Sequence, residues 1–446
     1  MTTDFDAIFK AYDVRGTVGD QLDADGARAI GGAFARFVTA GGDTAILIGR
    51  DMRPDGEELA AAFASGVLQH GLDVVDVGLC ATDMLYYASG KLNLPGAIFT
   101  ASHNPIGYNG IKMCNAGAAP LSFDSGLNTI KALAIAGAEP TAAQGTLRYH
   151  DLLNGYVEHV RSFVNLNSLK PLVVVADTAN GMGGLVLPAV FEALPFHLDH
   201  LYPELDGTFP NHPADPLQPE NQRDLCNRVL EINADIGLAF DGDADRVFLV
   251  DEHALTISGS VTTTIIAQLI LERHPGATVL HNLICSKAVP EAIRNAGGKP
   301  IRTRVGHSFI KQVMAETDAV FGGEHSGHYY FRDNYRADSG LIAALVVLEA
   351  LSRHPHGLSD LVSNLDRYAS SGEINTVVAD ADAVINTVAA AFPHSIQDRL
   401  DGLTIDMGDW WFNLRPSNTE PLLRLNLEAP TLGEVQARVA EVQALF

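Results

Sequence analysis

An apolar run, Ile-Gly-Leu-Ala-Phe at 236–240, ends abruptly in the polar segment Asp-Gly-Asp-Ala-Asp-Arg at 241–246. A short apolar run bounded by polar residues is typical of a buried strand. A similar run, LVVVADTANG at 172–181, lies earlier in the chain and also ends in polar residues. Open α/β sheets bind ligands just beyond the carboxyl ends of their strands. The segment 241–246 is therefore predicted to be a ligand-binding loop of an α/β domain.

The same pairing of two apolar runs occurs twice more in the sequence. The pairs are AILIGRD (45–51) with GAIFTASHNP (96–105), and TVLHNLICSK (278–287) with AVFGGEHSGH (319–328). Stretches of helical periodicity include 24–40, 57–71 and 339–352. Alternating strands and helices indicate α/β units. The predicted fold class is α/β, with three related domains of mixed sheet around a central cleft.

The C-terminal part of the chain has a different pattern. DWWFNLRPSNTEPLLRLNLEA (409–429) reads as strand, polar loop and strand, and a helical stretch follows it. This pattern predicts a smaller α+β domain that contributes one loop to the cleft. The predicted domain boundaries are 1–148, 149–250, 251–366 and 367–446.

Composition limits the partners and the location. The chain has 446 residues and a formal net charge of −24, which argues against nucleic acid and anionic membranes as partners. Its N-terminus has no continuous apolar core, so no signal peptide is expected. Its most apolar helical stretch reaches Glu349 before it could span a bilayer, so no membrane-spanning helix is expected. The four cysteines are too scattered for a disulfide framework, so a reducing cytoplasm is the expected location.

The loop 241–246 is the strongest metal candidate in the sequence. In an extended loop, alternate residues project to one side, so Asp241, Asp243 and Asp245 would converge. Oxygen ligands of this kind suit Mg²⁺ or Ca²⁺. An EF-hand loop also requires acidic residues at this spacing, but it needs glycine where Arg246 stands and helices on both sides. A solvated acidic turn is the other alternative.

The segment Thr100-Ala-Ser-His-Asn-Pro105 follows an apolar run, so Ser102 is placed as an exposed nucleophile or phosphate carrier. The simpler interpretation is an Asn-Pro turn. A hydrolase elbow, G-x-S-x-G, is absent around this serine. Neighbouring side chains on a strand point apart, so His103 is predicted to be a poor base for Ser102.

Two further loops offer hydrogen-bonding groups. If Gly323–His328 is extended, Glu324, Ser326 and His328 share one face, which suits a sugar-hydroxyl site better than a metal site. A glycine-bounded turn is the alternative. The segment 415–421 offers Arg415, two hydroxyls, an amide and backbone N–H groups, which would suit a phosphate, and a capped turn is the alternative.

Cations also lie near the N-terminus and after the serine segment. FKAYDVRG (9–16) places Tyr12 and Arg15 before the first long helix, and Lys112 follows the serine loop. A lysine held near a metal and arginines would have a lowered pKa, which makes Lys112 a candidate base.

Together these loops resemble the α-D-phosphohexomutase superfamily, and most of all its phosphomannomutase/phosphoglucomutase branch. The motifs FKAYDVRG, TASHNP, DGDADR, GEHSGH and RPSNTEP occur in order over the whole chain. The resemblance implies a four-domain enzyme that interconverts hexose 1-phosphate and hexose 6-phosphate through a phosphoserine and a 1,6-bisphosphate. Its implied cofactors are Mg²⁺ and, as activator, the hexose 1,6-bisphosphate.

The resemblance also implies a role for each matching residue. Ser102 would be the phosphoserine and would hold Mg²⁺ together with Asp241, Asp243 and Asp245. Glu324 and Ser326 would bind the sugar hydroxyls O3 and O4. The non-transferring phosphate would be bound by Arg415, Ser417, Asn418 and Thr419. The cleft would also be lined by Tyr12, Arg15, Arg246, His307 and His328. Lys112 would be the general base, with His328 as the alternative.

The motif details bear on the substrate. Phosphoglucosamine mutases usually begin with a GTDG-type segment and have Ser-Gly-Thr in the phosphate loop, whereas this chain has AYDVRG and Ser417-Asn418-Thr419. The mannose/glucose branch is therefore favoured, and contacts to O3 and O4 that ignore C2 predict activity on both sugars. A phosphoglucosamine mutase, a silent sugar-phosphate binding protein and a phosphatase are the alternatives.

Overall fold

The computed structural model describes residues 3–416 and 422–446, with the side chain of His307 excepted. Four sheets follow one another along the chain, in agreement with the predicted class of three α/β domains and a C-terminal α+β domain. The predicted domain boundaries stay predictions.

The first domain holds a seven-stranded sheet. Its elements are α1 (Phe5–Ile8), β1 (Val14–Thr17), α2 (Ala24–Thr39), β2 (Ala45–Arg50), α3 (Gly56–Gln69), β3 (Asp73–Leu79), α4 (Thr82–Leu92), β4 (Gly96–Phe99), β5 (Tyr108–Asn115), β6 (Ala119–Pro120), α5 (Asn128–Ala136) and β7 (Leu147–Tyr149).

The second and third domains hold a five-stranded and a four-stranded sheet. The second comprises α6 (Leu153–Arg161), β8 (Val173–Asp177), α7 (Gly183–Phe191), β9 (His197–Leu201), α8 (Arg223–Ile232), β10 (Ile236–Phe240), β11 (Val247–Asp251) and β12 (Thr256–Ile257). The third comprises α9 (Gly259–Arg273), β13 (Thr278–Asn282), α10 (Ala288–Asn295), β14 (Lys299–Thr303), α11 (His307–Thr317), β15 (Phe321–Gly323), β16 (Tyr329–Phe331), α12 (Gly340–Arg353) and α13 (Leu358–Ser363).

The repeat predicted from the sequence is visible in the strand order. The first three sheets share the orders β5-β4-β2-β3, β11-β10-β8-β9 and β16-β15-β13-β14. In each, the second apolar run of the pair lies parallel to the first and then returns as an antiparallel strand. The polar loops lie at this reversal, where parallel strands end at one edge of the sheet.

The fourth domain holds a five-stranded antiparallel sheet. It comprises β17 (Ala369–Val377), α14 (Ala381–Ala391), β18 (Ile396–Asp398), β19 (Leu403–Asp406), β20 (Trp411–Pro416), β21 (Leu422–Ala429) and α15 (Leu432–Gln443). Lys287 and Val305 donate backbone hydrogen bonds to Glu428 and Asp401, which connects this domain to the third.

One continuous apolar core joins the first three domains. At its centre α12 is buried on every side from Leu341 to Leu348, as expected for a helix without a polar face. Glu349 is also buried and forms an ion pair with Arg273. No helix among the described residues combines the length and apolarity that crossing a bilayer requires.

Candidate active site

The acidic loop 241–246 connects the antiparallel strands β10 and β11. The loop is a tight turn and not the extended segment that was predicted, because Ala244 has φ 61° and its N–H donates to the carbonyl of Asp241 at 3.1 Å. Asp241, Asp243 and Asp245 are buried, and one oxygen from each lies within 4.8 Å of the others. The predicted convergence is therefore found, although a turn produces it. The flanking strands exclude an EF-hand.

Ser102 lies beside this acidic turn. Its hydroxyl donates a hydrogen bond of 2.8 Å to Oδ2 of Asp241, so the two loops meet as predicted. Ser102 has φ 49°, a left-handed conformation that is uncommon for residues other than glycine. Strained conformations of this kind occur at functional sites where the surrounding structure enforces them.

The prediction that His103 points away from Ser102 is wrong. Nδ1 of His103 lies 3.2 Å from Oγ of Ser102. The left-handed backbone at Ser102 breaks the alternation of a strand, so neighbouring side chains can meet. Burial, followed by the charges of Arg246 and Arg15, lowers the pKa of His103 to about 2. His103 is therefore a weak base despite the contact.

The serine loop is held by Arg53, which the sequence analysis did not single out. Its guanidinium donates hydrogen bonds to four backbone carbonyls, those of Ser102, Asn104, Pro105 and Tyr108. Arg53 also forms a buried ion pair with Asp51. The signal that could have identified it is its position just beyond β2, at the sheet edge where the other polar loops lie.

Close packing joins the serine loop to the acidic turn 241–246. A Cβ atom at Gly242 would lie 2.5 Å from the carbonyl oxygen of Ser102. The hydroxyl of Thr82 donates to Asp243 at 2.6 Å, and the N–H of Met182 donates to the carbonyl of Gly242 at 2.8 Å. Groups from two domains thus fix the position of the acidic turn.

Lys112 occupies the centre of this cluster. Its Nζ donates hydrogen bonds of 2.7 Å to Asp243 and 2.7 Å to Asp245. Burial favours the neutral amine, but these two carboxylates outweigh it and hold the pKa of Lys112 well above its usual value. The lowered pKa expected from the sequence is not found, because the neighbours of Lys112 are anions.

The acidic cluster has the properties of a divalent cation site. Oδ1 of Asp243 and Oδ1 of Asp245 are buried and accept no hydrogen bond. Burial raises the pKa of Asp241 to about 7, although Arg246 lies against it. A hard cation would satisfy these oxygens and stabilise the ionised carboxylates. The residues present therefore fit Mg²⁺.

Arg246 and His328 complete the charged surroundings of the cluster. Nε of Arg246 donates to Asp241 at 2.9 Å, while its buried Nη2 has no hydrogen-bond partner among the described residues. Nδ1 of His328 lies 2.9 Å from Asp338, which the sequence analysis missed. Asp338 therefore fixes the imidazole ring of His328 and leaves Nε2 for another partner.

The loop 323–328 is a tight turn between β15 and β16, as in the glycine-bounded alternative, and not the extended form in which its alternate residues would share one face. The N–H of Gly327 donates to the carbonyl of Glu324 at 3.1 Å, which closes the turn. The buried carboxylate of Glu324 accepts hydrogen bonds from Asn282, Tyr330 and the backbone of Gly306. Ser326 is half-buried at the tip.

The remaining predicted residues come from the first, third and fourth domains. Arg15 donates to Asn104 at 2.6 Å and so borders the serine loop. Burial raises the pKa of Tyr12, and the charges of Glu324 and Arg415 both act on its phenol. Arg415 forms an ion pair with Glu373 at 2.9 Å. His307 begins α11, and Ser417, Asn418 and Thr419 lie outside the described residues.

A buried carboxylate behind the site should make stability depend on pH. Asp83 accepts hydrogen bonds from Tyr156 and Ser339, and burial raises its pKa from 3.8 to about 7. The folded protein thus retains a proton that the unfolded chain loses, and stability falls as the pH rises through this interval. Unfolding by urea at pH 5 and at pH 8 measures this effect. The wild type should be less stable at pH 8 than at pH 5, and in Asp83→Asn this difference in the free energy of unfolding should be smaller by about 2 kcal/mol.

The control for this prediction is Asp20→Asn, which changes an exposed aspartate. It should keep the pH dependence of the wild type. An Asp83→Asn protein whose unfolding midpoint shifts with pH as much as that of the wild type would contradict the assignment.

Comparison with known proteins agrees with this architecture. Models of the phosphoglucomutase/phosphomannomutase α/β/α domains I, II and III match residues 6–139, 154–255 and 258–368, and that of the C-terminal domain matches 373–445. The chain is 40% identical to a phosphomannomutase of Salmonella montevideo over 98% of both chains.

Solved structures show the same fold. A phosphoglucomutase/phosphomannomutase family protein from Burkholderia thailandensis is 33% identical, covers 100% of this chain and 98% of its own, and has a TM-score of 0.91. An N-acetylphosphoglucosamine mutase of Aspergillus fumigatus, solved with glucose 1,6-bisphosphate, shares the fold at 14% identity and a TM-score of 0.56 over 82% of this chain and 92% of its own.

The fold and the site together define a phosphohexomutase, an intramolecular phosphotransferase. The chain belongs to the phosphoglucomutase/phosphomannomutase family, as the sequence predicts.

Proposed function

We propose that this enzyme interconverts the 1-phosphates and 6-phosphates of mannose and glucose through phosphorylated Ser102 and a hexose 1,6-bisphosphate. The observation that carries the proposal is the hydrogen bond of 2.8 Å between the hydroxyl of Ser102 and Asp241, at a serine whose backbone is held in a left-handed conformation. A hydroxyl beside three buried carboxylates is placed to carry a phosphoryl group next to a divalent cation.

The metal ligands would be the Ser102 phosphate, Asp241, Asp243 and Asp245. When bound, Mg²⁺ would neutralise charge on the transferring phosphoryl group. Arg246 and Arg15 border Ser102 from two sides, through Asp241 and Asn104, and would stabilise the same charge. Phospho-Ser102 would donate to the free hydroxyl of the bound hexose monophosphate.

A general base is needed to accept the proton of the attacking sugar hydroxyl. Lys112 and His328 are the two candidates, because both lie against Asp245. We propose Lys112 as the general base, with His328 as the alternative. Lys112 must first lose its proton, and binding of a cation by Asp243 and Asp245 would remove the ion pairs that hold its pKa high.

The hexose would be held by its hydroxyls and its distal phosphate. Glu324 and Ser326 would bind O3 and O4, while Tyr12 and His307 would line the cleft. The distal phosphate would be bound by Arg415, Ser417, Asn418 and Thr419. The bisphosphate must turn over between the two transfers, and contacts to O3 and O4 survive because these hydroxyls exchange places. The same bisphosphate would act as activator by phosphorylating Ser102.

Since none of these contacts involves C2, where mannose and glucose differ, we expect turnover of both sugars. Mannose 1-phosphate, glucose 1-phosphate and glucosamine 1-phosphate should be assayed side by side with Mg²⁺ and trace bisphosphate. The kcat/KM values for the first two should lie within about tenfold of each other. This range corresponds to a difference of about 1.4 kcal/mol in transition-state stabilisation.

Other outcomes would identify the alternatives. Preferred turnover of glucosamine 1-phosphate would indicate a phosphoglucosamine mutase. Steady release of inorganic phosphate would indicate a phosphatase, and saturable binding without turnover would indicate a sugar-phosphate binding protein. The cytoplasmic location stays a prediction.

A further inference from the structure

A long irregular loop of the second domain, residues 202–218, follows β9 and reaches the site at two points. The ring of Phe209 lies 5.2 Å from the guanidinium of Arg53, which holds the serine loop. Ala214 packs on Gly242 of the acidic turn, where an added Cβ atom would lie 3.5 Å from the Cβ of Ala214. Long loops of this kind within compact domains are commonly functional. The loop 202–218 supports both the serine loop and the acidic turn.

His212 lies between these two points of contact and connects the loop to β8. Its Nε2 lies 2.9 Å from Oδ2 of Asp177, and its Nδ1 lies 2.9 Å from the carbonyl oxygen of Pro213. Oδ1 of Asp177 also accepts the N–H of Ala179, so both carboxylate oxygens act as acceptors. A neutral imidazole has only one N–H, whereas an imidazolium has two. Both contacts of the ring are therefore hydrogen bonds only when His212 is charged.

The groups around His212 favour the charged form. Asp177 faces the ring from β8, and Asp224 acts on it from α8. The ring of Tyr202 meets it edge-on at 5.5 Å, and the Tyr202 hydroxyl donates to Asp224. Burial opposes the charge on His212. The hydrogen bond and charge of Asp177, the carbonyl of Pro213 and the charge of Asp224 together outweigh burial and raise the pKa of His212 above its ordinary value of 6.5.

The backbone of the loop needs such support. Phe209 has φ 51°, a left-handed conformation that is uncommon for an aromatic residue. Conformations of this kind persist only where the surrounding contacts enforce them. Asn211 contributes one such contact, because its amide donates to Asn180 at 2.8 Å. The two hydrogen bonds of His212 are the neighbouring contacts, so their loss should loosen the segment between Phe209 and Ala214.

We propose that His212 is a positioning residue for phosphoryl transfer, and that its imidazolium holds the loop 202–218 against Arg53 and the acidic turn. Catalysis by positioning depends on placing the reacting groups to within a fraction of an ångström. The loop supports the groups around Ser102, whereas Glu324 and Ser326 lie in the third domain. A defect in the loop should therefore lower kcat more than it raises KM. The inference rests on the proposed function, since it takes Ser102 and the acidic turn as the reacting centre.

The contact of His212 should make turnover depend on pH. The pKa of His212 is raised in the folded protein, so its stabilisation of the loop is complete below pH 6.5 and is lost as the pH rises through the folded pKa. Above that pH the ring keeps only one N–H for two acceptors. The kcat of the wild type should therefore decrease across the titration of His212.

The test combines NMR of the full chain with labelled histidines and assays of kcat and KM, between about pH 5 and pH 9. The signal that is lost in His212→Gln identifies His212, and in the wild type it should titrate above pH 6.5. Below that titration His212→Gln should have a kcat about tenfold lower than the wild type at a similar KM, because a hydrogen bond to a charged group carries about that factor. Its kcat should not decrease across the titration. His197→Gln, at an exposed histidine of the same domain, is the matched control and should behave like the wild type.

Asp177→Asn separates protonation of His212 from packing. Asparagine keeps an oxygen that can accept from Nε2 but removes the charge, so the titration of His212 and the decrease in kcat should move together to lower pH. If His212→Gln does not fold, the shift in Asp177→Asn identifies the signal of His212. The proposal is overturned if His212 titrates at or below pH 6.5 in the wild type, if His212→Gln keeps the wild-type kcat, or if the decrease in kcat does not move in Asp177→Asn. Failure of the proposed function would appear instead as turnover by Ser102→Ala.

Discussion

Replacing Ser102 by alanine is expected to lower the turnover of hexose 1-phosphate by at least ~10³-fold, because no other group would carry the phosphoryl. The hydroxyl lies 2.8 Å from Asp241 inside a buried cluster, and the neighbouring His103 has a pKa of only about 2. A coupled assay with Mg²⁺ and trace bisphosphate measures the loss. Mass spectrometry of the intact protein should find phosphate on the wild type and none on Ser102→Ala.

Two further variants separate loss of the hydroxyl from loss of structure. Ser102→Gly should be as inactive as Ser102→Ala, although glycine adopts φ 49° without strain. Ser162→Ala, at an exposed serine, should keep full turnover. If Ser102→Ala retained more than about a tenth of wild-type turnover, the phosphoserine mechanism would have to be abandoned.

Replacing Asp243 by asparagine is expected to weaken Mg²⁺ binding and to lower turnover by ~10²-fold or more. Its Oδ1 is buried and has no hydrogen-bond partner, while its Oδ2 accepts from Thr82 and Lys112. An amide provides one oxygen and no charge, so it cannot both face the cation and accept from Thr82 and Lys112, and the charge that attracts the cation is lost. Titrations of activity and of binding with Mg²⁺ would measure both effects.

The control for this variant is Asp251→Asn. Asp251 is also a buried aspartate of this region, but its Oδ1 accepts hydrogen bonds from the backbone of its own turn, and asparagine keeps that oxygen. Its Mg²⁺ requirement should match that of the wild type. Turnover of Asp243→Asn within about tenfold of wild type, at an unchanged Mg²⁺ requirement, would exclude the acidic turn as the metal site.

Local patterns predicted much of the fold. The apolar runs at 45–51, 172–181 and 278–287 became β2, β8 and β13, because a short apolar run between polar segments is suited to a buried strand. The three loops were found at the correct sheet edge for the same reason. The long helices near 24–40 and 339–352 were also confirmed, to within a residue or two at each end.

The contacts within the site could not be predicted in this way. Arg53 holds carbonyls about fifty residues away in sequence, and Asp338 fixes His328 across a turn. Such contacts depend on how domains and loops dock, which no local pattern encodes. The loops 241–246 and 323–328 are tight turns, and not the extended segments in which alternate residues would share one face, since the backbone at Ala244 and Gly327 is left-handed. The raised pKa of Lys112 follows from the same docking.

The missing side chain at Gly242 has a consequence for how the enzyme fails. Because the carbonyl of Ser102 fills the space where a Cβ would lie, the serine loop and the acidic turn are in direct contact across the boundary between the first two domains. Any movement that parts the first two domains separates them at once. A molecule in which these domains have moved apart would then be inactive, and under the proposed mechanism it would not transfer the phosphoryl group of Ser102 to water.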